Sequence, residues 1–262
     1  MIGFGELRKK SVAWQIDISA VEKIHAMDWL LYGIGERAAL REHLTLRGAA
    51  ALANAYFENY PRVADLEFAR AANLDERLLE NELDAALRSA AHASGLQFKL
   101  HSFRAFRARI EFTSPLGRRS AAQPLLEARL NAASPRLEPP LRALRHPFAE
   151  AYAAAMRVVA LDELAAELLV LYARRPRARD VFDLWFILTH GADALDAAHA
   201  FALAQRIAAE KKLALRTSLD ETHAALLKNT WAQVLKEMRP HPDLATARRV
   251  IETLLQTQAP QP

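Results

Sequence analysis

Residues 44–68 read LTLRGAAALANAYFENYPRVADLEF, and this stretch decides the fold that we expect. An apolar run that ends in Leu46-Arg47-Gly48 has the pattern of a strand, and the alanine-rich run after it has the pattern of a helix. The stretch closes on an apolar segment in which one residue separates two acids, Asp65 and Glu67. On a strand, both carboxylates project from one face and Leu66 from the other. The stretch therefore predicts a strand, a helix and a second strand with an acidic face.

The acid pair suggests a metal site. Two neighbouring carboxylates repel each other, and in an active-site cleft a divalent cation between them often stabilises the arrangement. A third acid, Glu111, lies in the alternating segment 106–113, which predicts a strand that we expect near the strand of Asp65. Three carboxylates from neighbouring strands suit Mg²⁺, which takes further ligands from water and phosphate, and this favours phosphoryl or nucleotidyl transfer. The alternative is an ordinary exposed strand face, on which an isolated Asp-x-Glu is common.

Five segments of the chain match the motifs of a known protein family and occur in the same order as those motifs. That order resembles the AbiEii/MenT-type nucleotidyltransferase toxins of bacterial toxin–antitoxin systems, which share the DNA polymerase β-like nucleotidyltransferase fold. The family pattern is an apolar strand, a Gly-Gly-Ser/Thr-x-Leu turn, an Arg-x-Ser-x-Asp-x-Asp strand, a later acidic strand, a Glu-Lys-Leu helix and an Arg-Asp-x-x-Asp-Leu helix. The matching segments here are Leu44 to Leu52, Arg62 to Phe68, Arg109 to Phe112, Leu161 to Leu169 and Arg179 to Trp185.

The resemblance implies roles for individual residues. Mg²⁺ would be held by Asp65 and Glu67, Glu111 would help to activate the attacking hydroxyl, and substrate would be positioned by Asp180. The catalytic set is therefore Asp65, Glu67, Glu111 and Asp180, and the nucleotide-binding set is Gly48, Ala49, Ala50 and Arg175. Acids early in a helix also complement the helix dipole, so Asp180 is open to a structural interpretation, which we favour for Asp183 as a partner of neighbouring arginines.

The chain departs from the family pattern at several positions. Ala49-Ala50 replaces Gly-Ser/Thr, so the hydroxyl is missing and a Cβ stands where phosphate should approach. Glu67 replaces Asp, and Leu168 replaces the lysine expected to contact the triphosphate. Arg174 or Arg175 could supply that charge, although both also match the negative end of a helix dipole. Two hypotheses stay open: a nucleotidyltransferase that acts on an RNA or protein acceptor, and a catalytically degenerate binding or regulatory protein of the same fold.

The remaining pattern predicts an α+β fold, with a small mixed sheet and flanking helices followed by a C-terminal helical bundle. We expect a nucleotidyltransferase-like domain over residues 1–147 and a mainly helical domain over residues 148–262. A first helix, capped by Ser19, should be interrupted at Gly33-Ile34-Gly35. Residues 121–147 are rich in proline and arginine, which predicts an irregular connection with room for one short strand.

Composition narrows the function classes. The 262 residues carry a formal net charge of +4 and no cysteine, which excludes disulfides and thiolate zinc sites. No apolar run is long enough to span a membrane, and we expect a cytoplasmic protein. The nine histidines are scattered without a His-x-x-x-His pair, so no histidine metal site is predicted. Arginine clusters near Glu111 and Asp180 suggest a tRNA-like RNA partner, besides NTP and, from the resemblance, a cognate antitoxin.

Overall fold

The protein is described here by a computed structural model that divides into two compact units, Met1–Val159 and Ala160–Pro262. The described residues are 2–61, 65–71, 75–113, 125–131, 134–191, 193–216, 218–236, 238 and 241–258. Arg62, which begins the second segment of the family pattern, lies outside these residues. The mixed α+β class predicted from the sequence is confirmed by the elements of the two units.

The first unit contains helices whose ends follow ordinary capping chemistry. Asp17, rather than the predicted Ser19, caps the second helix, because its carboxylate accepts a hydrogen bond from the Ser19 amide. Asp75 caps the last helix of this unit, and Gly95 ends it in the left-handed conformation at φ 73°. The helices are α1 (Phe4–Trp14), α2 (Ile18–Glu36), α3 (Ala38–His43), α4 (Gly48–Ala51), which continues as the π-helical turn Leu52–Tyr56, and α5 (Glu76–Ser94).

The predicted interruption of α2 at Gly33-Ile34-Gly35 is wrong, because the helix continues to Glu36. The reason is tertiary packing. A Cβ on Gly33 would lie 2.2 Å from the carbonyl oxygen of Ala86 and 3.1 Å from the Cβ of Ala90, both on α5. Gly33 therefore allows the backbones of α2 and α5 to approach closely, and this contact offsets the low helix propensity of glycine.

A five-stranded mixed sheet forms the centre of the first unit. Its order is β1-β2-β5-β4-β3, in which β2 and β5 run parallel and every other neighbouring pair is antiparallel. The strands are β1 (Leu44–Arg47), β2 (Asp65–Arg70), β3 (Phe98–Arg104), β4 (Arg107–Phe112) and β5 (Leu125–Asn131). Residues 121–147, for which the sequence predicted room for one short strand, contain the seven-residue β5 and a further strand at Leu141–Ala143. β5 lies between the two acidic strands.

One face of the sheet is buried and the other is charged. Leu66, Phe68, Ala128 and Ile110 alternate with charged residues along β2, β5 and β4, and all four are almost fully buried. Helices α2 and α5 pack against each other and contact strands of the sheet, so they form the layer that covers the apolar face. The charged residues of the same strands face away from this layer.

A second, two-stranded sheet extends the first unit beyond residue 147, where the sequence predicts a boundary. It pairs β6 (Leu141–Ala143) with β7 (Ala155–Arg157) in antiparallel register. An isolated bridge between Leu46 and Val158, together with the hydrogen bond from the Val159 amide to the Leu46 carbonyl, holds the end of β7 beside β1. Residues 148–159 therefore belong to the first unit.

The described part of the second unit is helical. Amphipathic periodicity explains its core, in which Leu164, Leu169, Phe182 and Ile187 are buried. Its helices are α6 (Leu161–Arg174), α7 (Ala178–His190), α8 (Ala197–Glu210), α9 (Glu221–Val234) and α10 (Leu244–Gln258).

Candidate functional site

β2 presents the predicted acid pair on the charged face of the sheet. Asp65 is exposed and Glu67 is half-buried, whereas Leu66 and Phe68 between and beyond them are buried. This alternation is the one expected from a strand, because neighbouring side chains point to opposite faces. The strand therefore directs both carboxylates to the same side, as the sequence predicts.

The turn predicted to bind nucleotide lies beside Glu67. Arg47 pairs with Glu67 across β1 and β2, and its Nε lies 3.7 Å from Glu67 Oε1. Gly48 has a φ of 62°, and a Cβ at this residue would lie 3.0 Å from Glu67 Oε2. Glycine is favoured here because it adopts this backbone conformation without strain and leaves room for the carboxylate. The structure thus brings the glycine turn and the second acid together.

The two alanines after Gly48 have different environments. Ala49 is half-buried, whereas Ala50 is 2% exposed. The Ala50 carbonyl accepts a hydrogen bond from Asn54 Nδ2 at 3.0 Å. The side chain of Ala50, at the position of the family's hydroxyl, is therefore enclosed by protein in this structure.

The expected proximity of Glu111 to the strand of Asp65 is wrong. β5 lies between β2 and β4, and Glu111 pairs with Leu125 of β5 and Lys99 of β3. Its carboxylate instead contacts His101, with Oε1 2.6 Å from Nδ1. The physical reason is the parallel pairing of β2 with β5, a non-local contact that local sequence patterns do not reveal.

Glu127 on β5 is the acid that the structure places beside Asp65. These two residues are direct partners in the parallel register, and Glu127 is exposed on the charged face. Neighbouring strands lie about 4.8 Å apart, so two long carboxylate side chains on adjacent strands can reach one cation. The sequence signal for this residue is the alternation of buried Leu126, Ala128 and Leu130 with exposed Glu127 and Arg129.

Arginines follow the acids along the same face. Asp65, Glu127 and Arg109 form one row of register partners, with each residue on the strand next to the last. A depression of about 220 Å³ lies over β3, β4 and β5, and it combines four guanidinium groups with one carboxylate. Its polar lining residues are Ser102, Arg104, Arg107, Arg109, Glu127 and Arg129. The charged face therefore changes from acidic at β2 to basic at β4.

The second unit contains the remaining predicted site residues. Asp180 is buried and accepts two hydrogen bonds from Arg177, at 2.7 Å from Nε and 2.9 Å from Nη2. Asp183 is also buried and accepts a hydrogen bond from Arg179 Nε at 3.0 Å. The second contact agrees with the interpretation of Asp183 as a partner of arginine, and Asp180 has a contact of the same kind.

Arg175 follows the last residue of α6 and is exposed. Its backbone amide donates a hydrogen bond to the Leu171 carbonyl and completes the last turn of the helix. Leu168, which replaces the lysine of the family pattern, lies half-buried on the same helix. A role for Arg175 in nucleotide binding stays a prediction.

A family model matches most of the chain that forms this site and the second unit. The model described as "Nucleotidyl transferase AbiEii toxin, Type IV TA system" matches residues 29–256, which cover most of the chain. The chain belongs to the AbiEii nucleotidyltransferase toxin family. The membership confirms the resemblance found from the motif order, and the matched range includes all five segments of this AbiEii protein on which that resemblance rests.

A solved structure supports the AbiEii assignment at the level of the fold. The chain is similar to MenT4, a nucleotidyltransferase toxin from Mycobacterium tuberculosis H37Rv, with a TM-score of 0.65 and 15% sequence identity. The match covers 99% of this chain and 91% of that chain. A search of curated proteins gave no significant match. Within the described residues, no helix of this AbiEii protein is both long and apolar enough to cross a membrane.

Proposed function

We propose that this AbiEii protein is a magnesium-dependent nucleotidyltransferase that moves a nucleoside monophosphate from an NTP to an RNA acceptor. The observation that carries the proposal is the parallel pairing of β2 with β5. It groups Asp65, Glu67 and Glu127 on one exposed face, next to the Gly48 turn. A group of acids beside a glycine turn fits a metal-bound triphosphate better than it fits a purely structural strand.

The donor set fits Mg²⁺ because it consists of carboxylate oxygens with access to water. Asp65 and Glu67 are the proposed ligands, and a bound Mg²⁺ supplies charge neutralisation of the phosphates. Glu127 lies where it can accept the proton of an attacking hydroxyl, and we propose it for the role predicted for Glu111. Gly48 and Ala49 offer backbone at the start of α4 for the phosphates, since neither carries a large side chain.

The arginine-lined depression favours RNA over protein as the acceptor. Four guanidinium groups on β3, β4 and β5 lie on the same face as the acids. Arginines on one face form an electrostatic footprint for phosphodiesters, and guanidinium groups bind phosphate in two-pronged geometry. With neighbouring strands about 4.8 Å apart, Arg109 lies on the order of 10 Å from Asp65, which suits an acceptor end beside the metal. Because the chain belongs to a toxin family, we also propose that it is cytoplasmic and that a cognate antitoxin binds it.

Calorimetry tests the nucleotide site. Each NTP is titrated into the protein with and without Mg²⁺, and Asp65→Ala is compared with Asp84→Ala, an acid on α5 that pairs with Arg88. We expect metal-dependent binding that is lost in Asp65→Ala and kept in Asp84→Ala. An α-labelled NTP mixed with total tRNA then measures transfer, because the α-phosphate stays with the transferred nucleotide. If Asp65→Ala bound NTP as tightly as Asp84→Ala, the proposed nucleotide site would be wrong.

A degenerate binding protein is the second candidate function. The burial of Ala50 favours it, because the position of the family's hydroxyl is enclosed in this structure. The double substitution Ala50→Ser with Leu168→Lys distinguishes the two functions. Raised transfer activity would support a weakened enzyme, whereas an inactive double variant that still binds RNA would support the binding protein.

A further inference from the structure

A buried cluster of histidines and acids lies in the first unit, on different elements from the acids of β2. His25, Asp28 and Trp29 occupy one face of α2, and they meet His146 and Glu150 from the connection between β6 and β7. The side chains of His25, Asp28 and His146 are at most 2% exposed, and that of Glu150 is 14% exposed. Since α2 belongs to the layer on the apolar side of the sheet, this cluster is separate from the proposed nucleotide site.

The cluster brings ligand atoms together. His25 Nε2 lies 2.5 Å from Glu150 Oε2, and His146 Nε2 lies 3.7 Å from the same oxygen. One ligand atom from each of His25, His146 and Glu150 lies within 4.8 Å of the others. Ligands of a tetrahedral ion with bonds of about 2.0–2.1 Å lie roughly 3.4 Å from one another. The 3.7 Å between His146 Nε2 and Glu150 Oε2 is close to this spacing, whereas the 2.5 Å between His25 and Glu150 is a hydrogen-bond distance that would lengthen by about 1 Å around an ion.

Asp28 fixes the orientation of His146. Its Oδ2 lies 3.2 Å from His146 Nδ1, so Nδ1 carries a hydrogen and donates it to the carboxylate. Within the described residues, the buried Nε2 of His146 has no hydrogen-bond partner. In metal sites, the ring nitrogen of a histidine that does not bind the metal usually donates a hydrogen bond to a carboxylate or a backbone carbonyl. Asp28 accepts such a bond from His146. The lone pair of Nε2 is thus directed toward Glu150.

The short contact between His25 and Glu150 is a hydrogen bond when no metal ion is bound. A neutral imidazole that carries its hydrogen on Nε2 donates it to Glu150 Oε2 at 2.5 Å, and the Trp29 indole donates to the same oxygen at 3.3 Å. A metal ion at this site requires the other tautomer of His25, in which the hydrogen lies on Nδ1 and Nε2 offers its lone pair. Metal binding would therefore change the tautomer of His25 and lengthen its contact with Glu150.

We propose that His25, His146 and Glu150 bind one divalent transition-metal ion, with Zn²⁺ as the best fit. Two imidazoles and one carboxylate form a ligand set that zinc accepts, whereas Mg²⁺ prefers oxygen ligands alone. Asp28 is a positioning residue that acts through His146. This inference does not depend on the proposed nucleotidyltransfer, because no residue is shared between the two sites.

The position of the cluster indicates a structural role for the metal. Residues 144–154 connect β6 to β7 without helix or strand, yet they bury Leu144 and Phe148. His146 and Glu150 come from this connection and His25 comes from α2, so one ion would fasten the irregular segment to the helix. Metal ligation that joins distant segments contributes directly to folding stability.

Zinc titration of the full chain without a histidine tag tests the site. We expect about one equivalent of tightly bound Zn²⁺ and a higher melting temperature with zinc than after chelation. His146→Gln and Glu150→Gln should each lose the binding and the thermal shift. His199→Gln is the matched control, since His199 also contacts a carboxylate, that of Asp162 at 2.8 Å, and should leave both unchanged.

A second variant keeps the test decisive if a ligand variant fails to fold. Asp28→Asn retains the three ligands and weakens the orientation of His146, so zinc affinity should fall about 10- to 100-fold. Cobalt in place of zinc should give the visible absorption of a four-coordinate site in the wild type and not in His146→Gln. Wild-type protein that binds no zinc, or ligand variants that bind it as tightly, would overturn the proposal and leave a buried His–Glu ion pair.

Discussion

Two pairs of acids show how differently the same residue types are used in this chain. Asp65 and Glu67 lie on β2, with Asp65 exposed and Glu67 half-buried, and Glu127 on the neighbouring strand is a third acid on the same face. Asp180 and Asp183 lie on α7, where both are buried and each accepts hydrogen bonds from an arginine. In both pairs the backbone period places the two carboxylates on one side.

The difference lies in how the negative charges are compensated. The acids of α7 already have guanidinium partners, and burial strengthens such contacts, so these pairs suit a structural role. The acids of β2 are grouped with another acid and are more exposed, and the guanidinium contact of Glu67 with Arg47, at 3.7 Å, is longer than those on α7. Their charge is therefore less fully compensated, and a bound cation would lower their mutual repulsion. Spacing along the chain is therefore a poor guide to function, and the residues that the fold places next to each acid are a better one.

The largest effect should come from Asp65→Asn, which removes a proposed metal ligand and keeps the shape of the side chain. We expect nucleotide transfer to fall by about 1,000-fold, equivalent to roughly 4 kcal/mol of transition-state stabilisation. The free energy of unfolding should change by less than about 0.5 kcal/mol, because the residue is exposed. Transfer of label to tRNA and urea unfolding measure the two quantities. A large loss of stability would remove the distinction between the two acid pairs.

The second-largest effect on transfer distinguishes whether Glu127 of β5 or Glu111 of β4 acts together with Asp65 and Glu67. Glu127→Gln should lower transfer by about 100-fold, the range of general acid–base contributions, whereas Glu111→Gln should change it by less than about threefold. The physical reason is register: Glu127 is the direct partner of Asp65, whereas Glu111 contacts His101. The reverse order of effects in the same assay would restore the role first predicted for Glu111.

The sequence left room for a strand in residues 121–147 but did not locate β5, and this explains why two of these acids were predicted and Glu127 was not. The strand of Asp65, the glycine turn and most helices follow local periodicity and capping, and they lie close to where the pattern predicts them. β5 has the same alternation over Leu126 to Leu130, but neighbouring prolines and arginines obscure it. Its parallel pairing with β2 is a contact between distant segments, which no local pattern specifies.

The buried histidine cluster was missed for a related reason. His25 and Glu150 are 125 residues apart, and the histidines taken alone have no metal spacing. The local signal is the four-residue spacing of His146 and Glu150, which becomes informative once the carboxylate is counted as a ligand. The interruption of α2 at Gly33 was predicted from propensity alone, and contact with α5 overrides that propensity.

Substitution of either acid on α7 should lower the free energy of unfolding. Asp183→Ala and Asp180→Ala should each lower the free energy of unfolding by about 1–3 kcal/mol, because the arginine partner loses its acceptor. If Asp180 also positions substrate, as the family resemblance implies, only Asp180→Ala should reduce transfer beyond its effect on stability. Urea unfolding and transfer assays on both variants give the comparison. Two variants as stable as wild type would show that the arginine contacts contribute nothing measurable.

Gly48→Ala should have a smaller effect that combines strain with displacement of Glu67. The φ of 62° costs an alanine about 1–2 kcal/mol, and the new Cβ would lie 3.0 Å from Glu67 Oε2. Gly5→Ala is the matched control, because a Cβ there meets nothing within 4 Å and its helical position favours alanine. Unfolding of the two variants should shift in opposite directions. Equal shifts would mean that the backbone at residue 48 is not held in this conformation.

The smallest effect concerns Asp220, an acid with partners like those of α7 but without their burial. It caps α9, accepts from the backbone and ring of His223, and pairs with Arg216. The amide and ring of His223 lower its pKa from 3.8 to about 2.

A carboxyl with a lowered folded pKa stabilises the fold fully above pH 3.8, and this stabilisation declines as the pH falls toward 2. Asp220→Asn should therefore be slightly less stable than wild type at neutral pH, and the difference should shrink between pH 4 and pH 2. Urea unfolding across that range measures it. A loss as large as that of Asp183→Ala would mean that the arginine and backbone partners, rather than burial, make an acid structural in this chain.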